Sequence, residues 1–240
     1  MRVRFPSGDT LIRGELRLPS APGTHPGVVL IPDVAGLSTI YEGFADRLAE
    51  SGYVTLVLDK YSRGEKPDLS SLEAIFRFLR ALPDSQVLGD VQAAIDHLAQ
   101  LPETQGRAIG MTGFCVGGQY TMLAASSCRG LSAAVSWYGM LRVGALDECN
   151  PEHPLEALAR LRCPLLAHFG ADDAVVPLAD VDELERRVRA HGWPVEVVIH
   201  AGAGHAFANP GRPDAYRAEA AEQAWRRMLE FFARHLGGGS

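Results

Sequence analysis

The sequence predicts an α/β fold: a mainly parallel sheet with helices on both faces. Three observations carry this. Short, wholly apolar runs such as Val28–Ile31 and Val54–Leu58 match strands buried on both faces of a parallel sheet. Segments of helical periodicity separate them, so strand and helix alternate almost throughout. No internal repeat, low-complexity tract or linker divides the chain, which implies one domain over residues 1–236 and a flexible Gly-Gly-Gly-Ser tail over 237–240.

The elements read as follows. Leu11 to Leu18 alternates apolar and polar residues, with Ile12, Leu16 and Leu18 on one face, as an early half-exposed strand does. Residues 19–26 form a Pro/Gly loop, and Val28–Ile31 is the first buried strand. Tyr41 to Ser51 has helical periodicity and stops before Gly52. Val54 to Leu58 is the second buried strand, closed by Asp59. Lys60 to Ser71 is polar and loop-like; Leu72 to Leu82 reads as helical, and Gln86 to Leu101 as a clearer amphipathic helix. Arg107 to Phe114 reads as a strand, followed by a sharp turn into a small-residue helix ending near Ser127. Further strands are expected at Leu131–Trp137, Pro164–Phe169 and Val195–His200, and helices at Val181–His191 and Ala215–His235. The polar, Pro-containing stretch 142–161 reads as an excursion with a short helix.

Composition narrows the function classes. A chain of 240 residues, 47% hydrophobic, can bury one sizeable core. A net charge of −6 offers no basic surface for nucleic acid. No apolar run is long enough to span a bilayer, and the N-terminus lacks the apolar segment of a signal peptide, so a cytoplasmic enzyme is expected. The four cysteines form no CxxC pair or zinc-like cluster, and they are expected as free thiols in a protein without metal or cofactor.

The segment Gly113-Phe114-Cys115-Val116-Gly117 has the G-x-S-x-G pattern with cysteine at its centre, after a strand and before a helix. Such a turn exposes the sulfur at the carboxyl edge of the sheet. Glycines on either side avoid Cβ clashes there. The helix N-terminus favours the thiolate, and the amide of Val116 would face a developing oxyanion. The competing reading is a buried structural cysteine beside packing glycines. A second segment, Gly170-Ala-Asp-Asp-Ala-Val-Val-Pro177, follows a strand; its carboxylates could orient a histidine or simply form a solvated Asx turn. A third, Gly202-Ala-Gly-His205-Ala-Phe, puts one histidine of eight in a Gly-rich loop between the last strand and last helix. His97, His191 and His235 fall on or at the ends of helices and are expected at the surface; His168 could be a packed core residue or line a pocket. Nucleophile, acid, histidine is the chain order of α/β-hydrolases, and 58 and 32 residues separate Cys115, Asp173 and His205.

Together these segments resemble the dienelactone hydrolase (carboxymethylenebutenolidase) family of the α/β-hydrolases, over about residues 16–235. Ile31-Pro-Asp-Val-Ala-Gly36, Asp59-Lys-Tyr-Ser-Arg63 and Trp137-Tyr-Gly139 add to the likeness. The resemblance implies a cofactor-free hydrolase of a small lactone or ester, monomeric or a small homo-oligomer. It implies Cys115 as nucleophile, His205 as proton carrier and Asp173, rather than Asp172, as the triad acid. The amides of Val34 and Val116 would form the oxyanion hole. Asp33 takes the place of a family acid, usually glutamate, that pairs with the resting thiol; it is one methylene shorter. Arg63 matches one of two arginines that hold a substrate carboxylate, and Asn209 stands where the second is found. Trp137 replaces an aromatic that is often tyrosine, and Phe207 completes the implied substrate site. Two other readings stay open: a broader carboxylesterase or thioesterase with the same triad, and a non-catalytic binding or redox-responsive protein on the same fold.

Overall fold

The computed structural model describes residues 1–64 and 66–237. The expected tail over 237–240 lies, apart from Gly237, outside the described residues. The strands are β1 (Arg2–Ser7), β2 (Thr10–Arg17), β3 (Gly27–Ile31), β4 (Val54–Leu58), β5 (Ile109–Phe114), β6 (Leu131–Trp137), β7 (Leu165–Gly170) and β8 (Val195–His200). The helices are α1 (Thr39–Glu50), α2 (Leu72–Ala81), α3 (Asp84–Gln100), α4 (Val116–Ser127), α5 (Pro154–Ala157), α6 (Leu178–His191) and α7 (Ala218–Leu236). One eight-stranded sheet runs in the order β1-β2-β4-β3-β5-β6-β7-β8. The β1/β2 and β2/β4 pairs are antiparallel and the rest parallel.

The apolar strands are apolar because both faces are covered. On β3, Val28 and Leu30 pack with the side chains of α1 and α7, while Val29 and Ile31 pack with those of α3 and α4. A third cluster joins α4, α5 and α6 to β6 and β7. Removing this apolar surface from water, at about 25 cal/mol per Å², is the main driving force for the layered arrangement. No helix among the described residues is long and apolar enough to cross a membrane.

Three details depart from the sequence expectation. Residues 2–7 form a strand that the polar, Pro-containing start did not suggest. Its alternation is short, but Phe5 is buried and stacks on His97 with ring centroids 4.9 Å apart. His97 is therefore a packed residue under β1 rather than a surface one. Helix starts also shift: α3 and α6 begin directly after Pro83 and Pro177. Proline cannot donate to a preceding turn, which makes it a natural boundary.

Candidate active site

Because β3 to β8 run parallel, their following loops meet along one edge of the sheet. The turn after β5 carries Cys115 at φ 55° and ψ −119°, a conformation L-residues rarely adopt. Glycines make the turn possible. A Cβ on Gly113 would lie 2.2 Å from the Gly117 carbonyl oxygen, and one on Gly117 would lie 2.3 Å from that of Ile31. The chain thus doubles back directly onto the end of β3, and α4 leaves with its N-terminus at Cys115. Among the described residues, the other non-glycine positions with positive φ, Tyr138 and Ala206, sit in the loops after β6 and β8. The strained backbone is gathered around one place.

There the structure brings three expected side chains together. His205 Nε2 lies 3.3 Å from Cys115 Sγ, and His205 Nδ1 lies 2.9 Å from Asp173 Oδ2. The other oxygen of Asp173 accepts from the amides of Val175 at 2.7 Å and Val176 at 2.8 Å. The Asx turn and the histidine partner, alternatives on sequence grounds, are two oxygens of one carboxylate. Asp172 is exposed. Burial pushes the His205 imidazolium down, but hydrogen bonds to Asp173 and Cys115 outweigh it and raise its pKa to about 10. Such a series can pass a proton between sulfur and imidazole while the carboxylate fixes the tautomer.

Next to it stands the β3–α1 loop. Among the described residues, neither the amide of Val34 nor that of Val116 donates to a protein acceptor. The first N–H of a helix has no intrahelical partner. Asp33 is held by the Ala35 amide on Oδ1 at 3.0 Å and by Asn209 Nδ2 on Oδ2 at 3.2 Å. One of these is a turn contact and the other reaches across from the loop after β8, while the Cys115 sulfur meets His205 Nε2.

The substrate side differs from expectation. Arg63 does not present a free guanidinium. It forks onto Asp90 through Nε at 3.0 and 3.1 Å and Nη2 at 2.7 Å, and also binds Ser7 and Thr10. Asp90, on α3, is almost completely buried, so this ion pair ties the loop after β4 to α3 and the β1–β2 hairpin. Trp137 is fully buried instead of lining a pocket. It stacks on Phe114 and donates Nε1–H to Thr112 Oγ1 at 3.1 Å. The neighbouring aromatic, Tyr138, meets the His205 ring edge-on with centroids 5.2 Å apart. Phe207 is also fully buried, packed against Tyr138 and His200. His168 is a core histidine: its Nδ1 is 3.2 Å from His200 Nε2, and burial holds its pKa well below the ordinary range.

Sequence reasoning missed two residues here. Lys60 is buried, its ammonium donating to the carbonyls of Pro32 (3.2 Å) and Asp33. Tyr61 donates its hydroxyl to Val34 O at 2.9 Å. The available signal was a lysine two residues after a buried strand, on the edge where ligands bind. A cleft of about 240 Å³ lies beside these residues, lined in part by Lys60, Tyr61, Arg63, Phe78 and Leu82. All four cysteines are free; burial pushes the Cys128 and Cys163 thiols up to about 11 and about 12. Among the described residues no three His, Cys, Asp or Glu side chains group as metal ligands.

Comparison with known proteins agrees with this architecture. A Bradyrhizobium protein assigned as a 2-oxo-3-(5-oxofuran-2-ylidene)propanoate lactonase is 36% identical over 230 residues, covering 94% of this chain and 92% of its own. A crystal structure from Klebsiella pneumoniae subsp. pneumoniae MGH 78578, assigned as a dienelactone hydrolase, superposes with a TM-score of 0.91 at 30% identity, covering 98% of both chains. A dienelactone hydrolase-like promiscuous phosphotriesterase from metagenomic libraries gives 0.83 at 25% identity, covering 99% of this chain and 98% of its own. The family model described as "Dienelactone hydrolase family" matches residues 12–236, and the chain belongs to that family of α/β-hydrolases.

Proposed function

We propose that the protein hydrolyses a small lactone or activated ester by covalent catalysis, with Cys115 as nucleophile, His205 as general base and acid, and Asp173 as the acceptor that orients it. The observation that carries this reading is the series of contacts Cys115 Sγ, His205 Nε2, His205 Nδ1, Asp173 Oδ2, at 3.3 and 2.9 Å. The thiolate adds to the carbonyl carbon, and the oxygen that becomes negative is held by the amides of Val34 and Val116. Collapse breaks the bond to the ring or alcohol oxygen, which takes a proton from His205 and leaves a thioester on Cys115. Water then adds to the thioester, its proton passing to His205. The second tetrahedral species expels the thiolate and releases the carboxylic acid.

A thiolate leaves a tetrahedral centre more readily than an ordinary alkoxide. Forward reaction therefore needs a substrate whose own leaving group is good, such as an enolate or phenolate. That favours enol-lactones and aryl esters over peptides, consistent with the lactonase assignment of the Bradyrhizobium relative. The spent guanidinium of Arg63 and the neutral Asn209 favour a broad activated-ester hydrolase over one that demands a substrate carboxylate.

The test is a screen of enol-lactones, aryl esters and acyl-thioesters with wild type and Cys115→Ala. The variant is expected to lose at least about a thousandfold in kcat with an unchanged circular dichroism spectrum, since residues of such a unit fail together. Retention of most of the activity contradicts the assignment.

A further inference from the structure

We propose that Lys60 is a positioning residue of the oxyanion site, acting through the Asp33–Val34 peptide group whose N–H meets the developing charge. The proposal rests on the reading of Val34 as an oxyanion donor given above and asks what holds that donor.

The Lys60 ammonium donates to the carbonyl oxygen of Asp33 and, at 3.2 Å, to that of Pro32. The carbonyl of Asp33 and the N–H of Val34 are the two ends of one conjugated peptide unit. A cation on the oxygen draws electron density from the nitrogen and strengthens the N–H as a donor, the cooperative polarisation expected of hydrogen bonds in series. The neighbouring Tyr61 takes the next carbonyl, that of Val34, at 2.9 Å. Residues 60 and 61 therefore grip three successive carbonyls, and the amide between the second and third is turned the opposite way.

The grip also reaches the second donor. A Cβ on Gly117 would fall 2.7 Å from Pro32 O, the same oxygen that Lys60 binds. The Cys115–Val116 turn is thus seated on the loop that Lys60 holds, and both proposed donors share one support. A buried charge is a costly anchor where a neutral amide would serve mechanically. Lys60 is only 2% exposed. Burial pushes its pKa down to about 8, opposed by Asp33 from the β3–α1 loop, Cys115 from the turn after β5 and Asp59 from its own loop, while Lys66 adds to the depression. The ring of Tyr61 lies beneath the ammonium at 4.4 Å.

The experiment compares wild type, Lys60→Gln and Lys60→Met on an aryl ester across pH 7–10. Glutamine keeps a donor but no charge. Both variants are expected to lose roughly 10- to 100-fold in kcat with KM within about twofold, and to bind a trifluoromethyl ketone, which adds to a thiolate as a tetrahedral oxyanion, more weakly by the same factor. Wild-type kcat should fall as pH rises through about 8, and that limb should be absent from Lys60→Gln. Should Lys60→Met fail to fold, Lys60→Gln and the wild-type limb carry the test. Unchanged kcat, or the same alkaline limb in Lys60→Gln, overturns the inference. Cys115→Ala runs alongside. If it stays active, the covalent reading itself fails; if it is inert while Lys60→Gln matches wild type, only the role of Lys60 falls.

Discussion

Two halves of the same sheet edge behave differently. In the loops after β5, β7 and β8, each side chain of the proposed triad is set by backbone geometry a few residues long: Cys115 by its glycines, Asp173 by the amides of Val175 and Val176, and His205 in the tight turn with Ala206 at positive φ. In the loops after β3 and β4, the side chains are set by partners far along the chain. Asp33 is bound by Asn209, Arg63 by Asp90 and Ser7, and Lys60 by the carbonyls of Pro32 and Asp33. The half that carries Cys115, Asp173 and His205 is fixed locally, and the half that carries Asp33, Lys60 and Arg63 is fixed by long-range contacts.

The largest effect that can break this contrast belongs to the half that holds the proposed triad. Asp173→Asn should lower kcat by about 10³–10⁴, because the imidazole loses the acceptor that fixes its tautomer. Asp172→Asn should leave kcat within a fewfold. Steady-state kinetics of the two variants decide it, and the reverse ranking would move the role of triad acid from Asp173 to Asp172.

Arg63→Ala sharpens the other side. It removes the cation from the buried Asp90 carboxylate, leaving the Ser7 hydroxyl as its hydrogen-bond donor, so unfolding in urea should show a loss on the order of 3 kcal/mol. The ratio of kcat/KM for an acidic lactone and its methyl ester should stay unchanged. A collapse of that ratio without loss of stability would restore Arg63 to substrate binding.

A smaller effect concerns pH. The folded-state pKa of His205, at about 10, lies above the ordinary histidine value of 6.5. Its protonated form therefore contributes stability that is complete below about pH 6.5 and is lost as pH rises through about 10. NMR of the His205 ring should show it protonated at pH 8 in wild type and titrating lower in Cys115→Ala, where one of its partners is gone. Equal titration in both would separate the histidine from the sulfur.

The same contrast explains what could be read from the sequence. The turn around Cys115, the Asp-Asp segment and the Gly-rich loop at His205 each declare themselves within eight residues, and alternating buried runs declare the parallel sheet. Arg63 was the right residue type in the right segment, but its partner Asp90 lies 27 residues away on another element, and no local pattern reports such a pairing. Trp137 and Tyr138 are adjacent aromatics. Which of them turns toward His205 depends on the positive φ of Tyr138, a backbone property invisible in the residue names. Strand β1 was missed because its inward alternation amounts to Val3, Phe5 and Ser7, too short a pattern to stand out beside Pro6.

If Cys115 is the nucleophile, the acyl group passes through its sulfur. The direct measurement is intact and peptide mass spectrometry of enzyme quenched in acid during turnover of an activated aryl ester. Cys149 is half-exposed and could be modified adventitiously, so the experiment is done in a Cys149→Ser background. One acyl group per chain, on the peptide containing Cys115, formed in a burst and absent from Cys115→Ala, is the predicted result. Steady turnover with no acylated Cys115 peptide at any quench time, or hydrolysis that persists in Cys115→Ala, would contradict it.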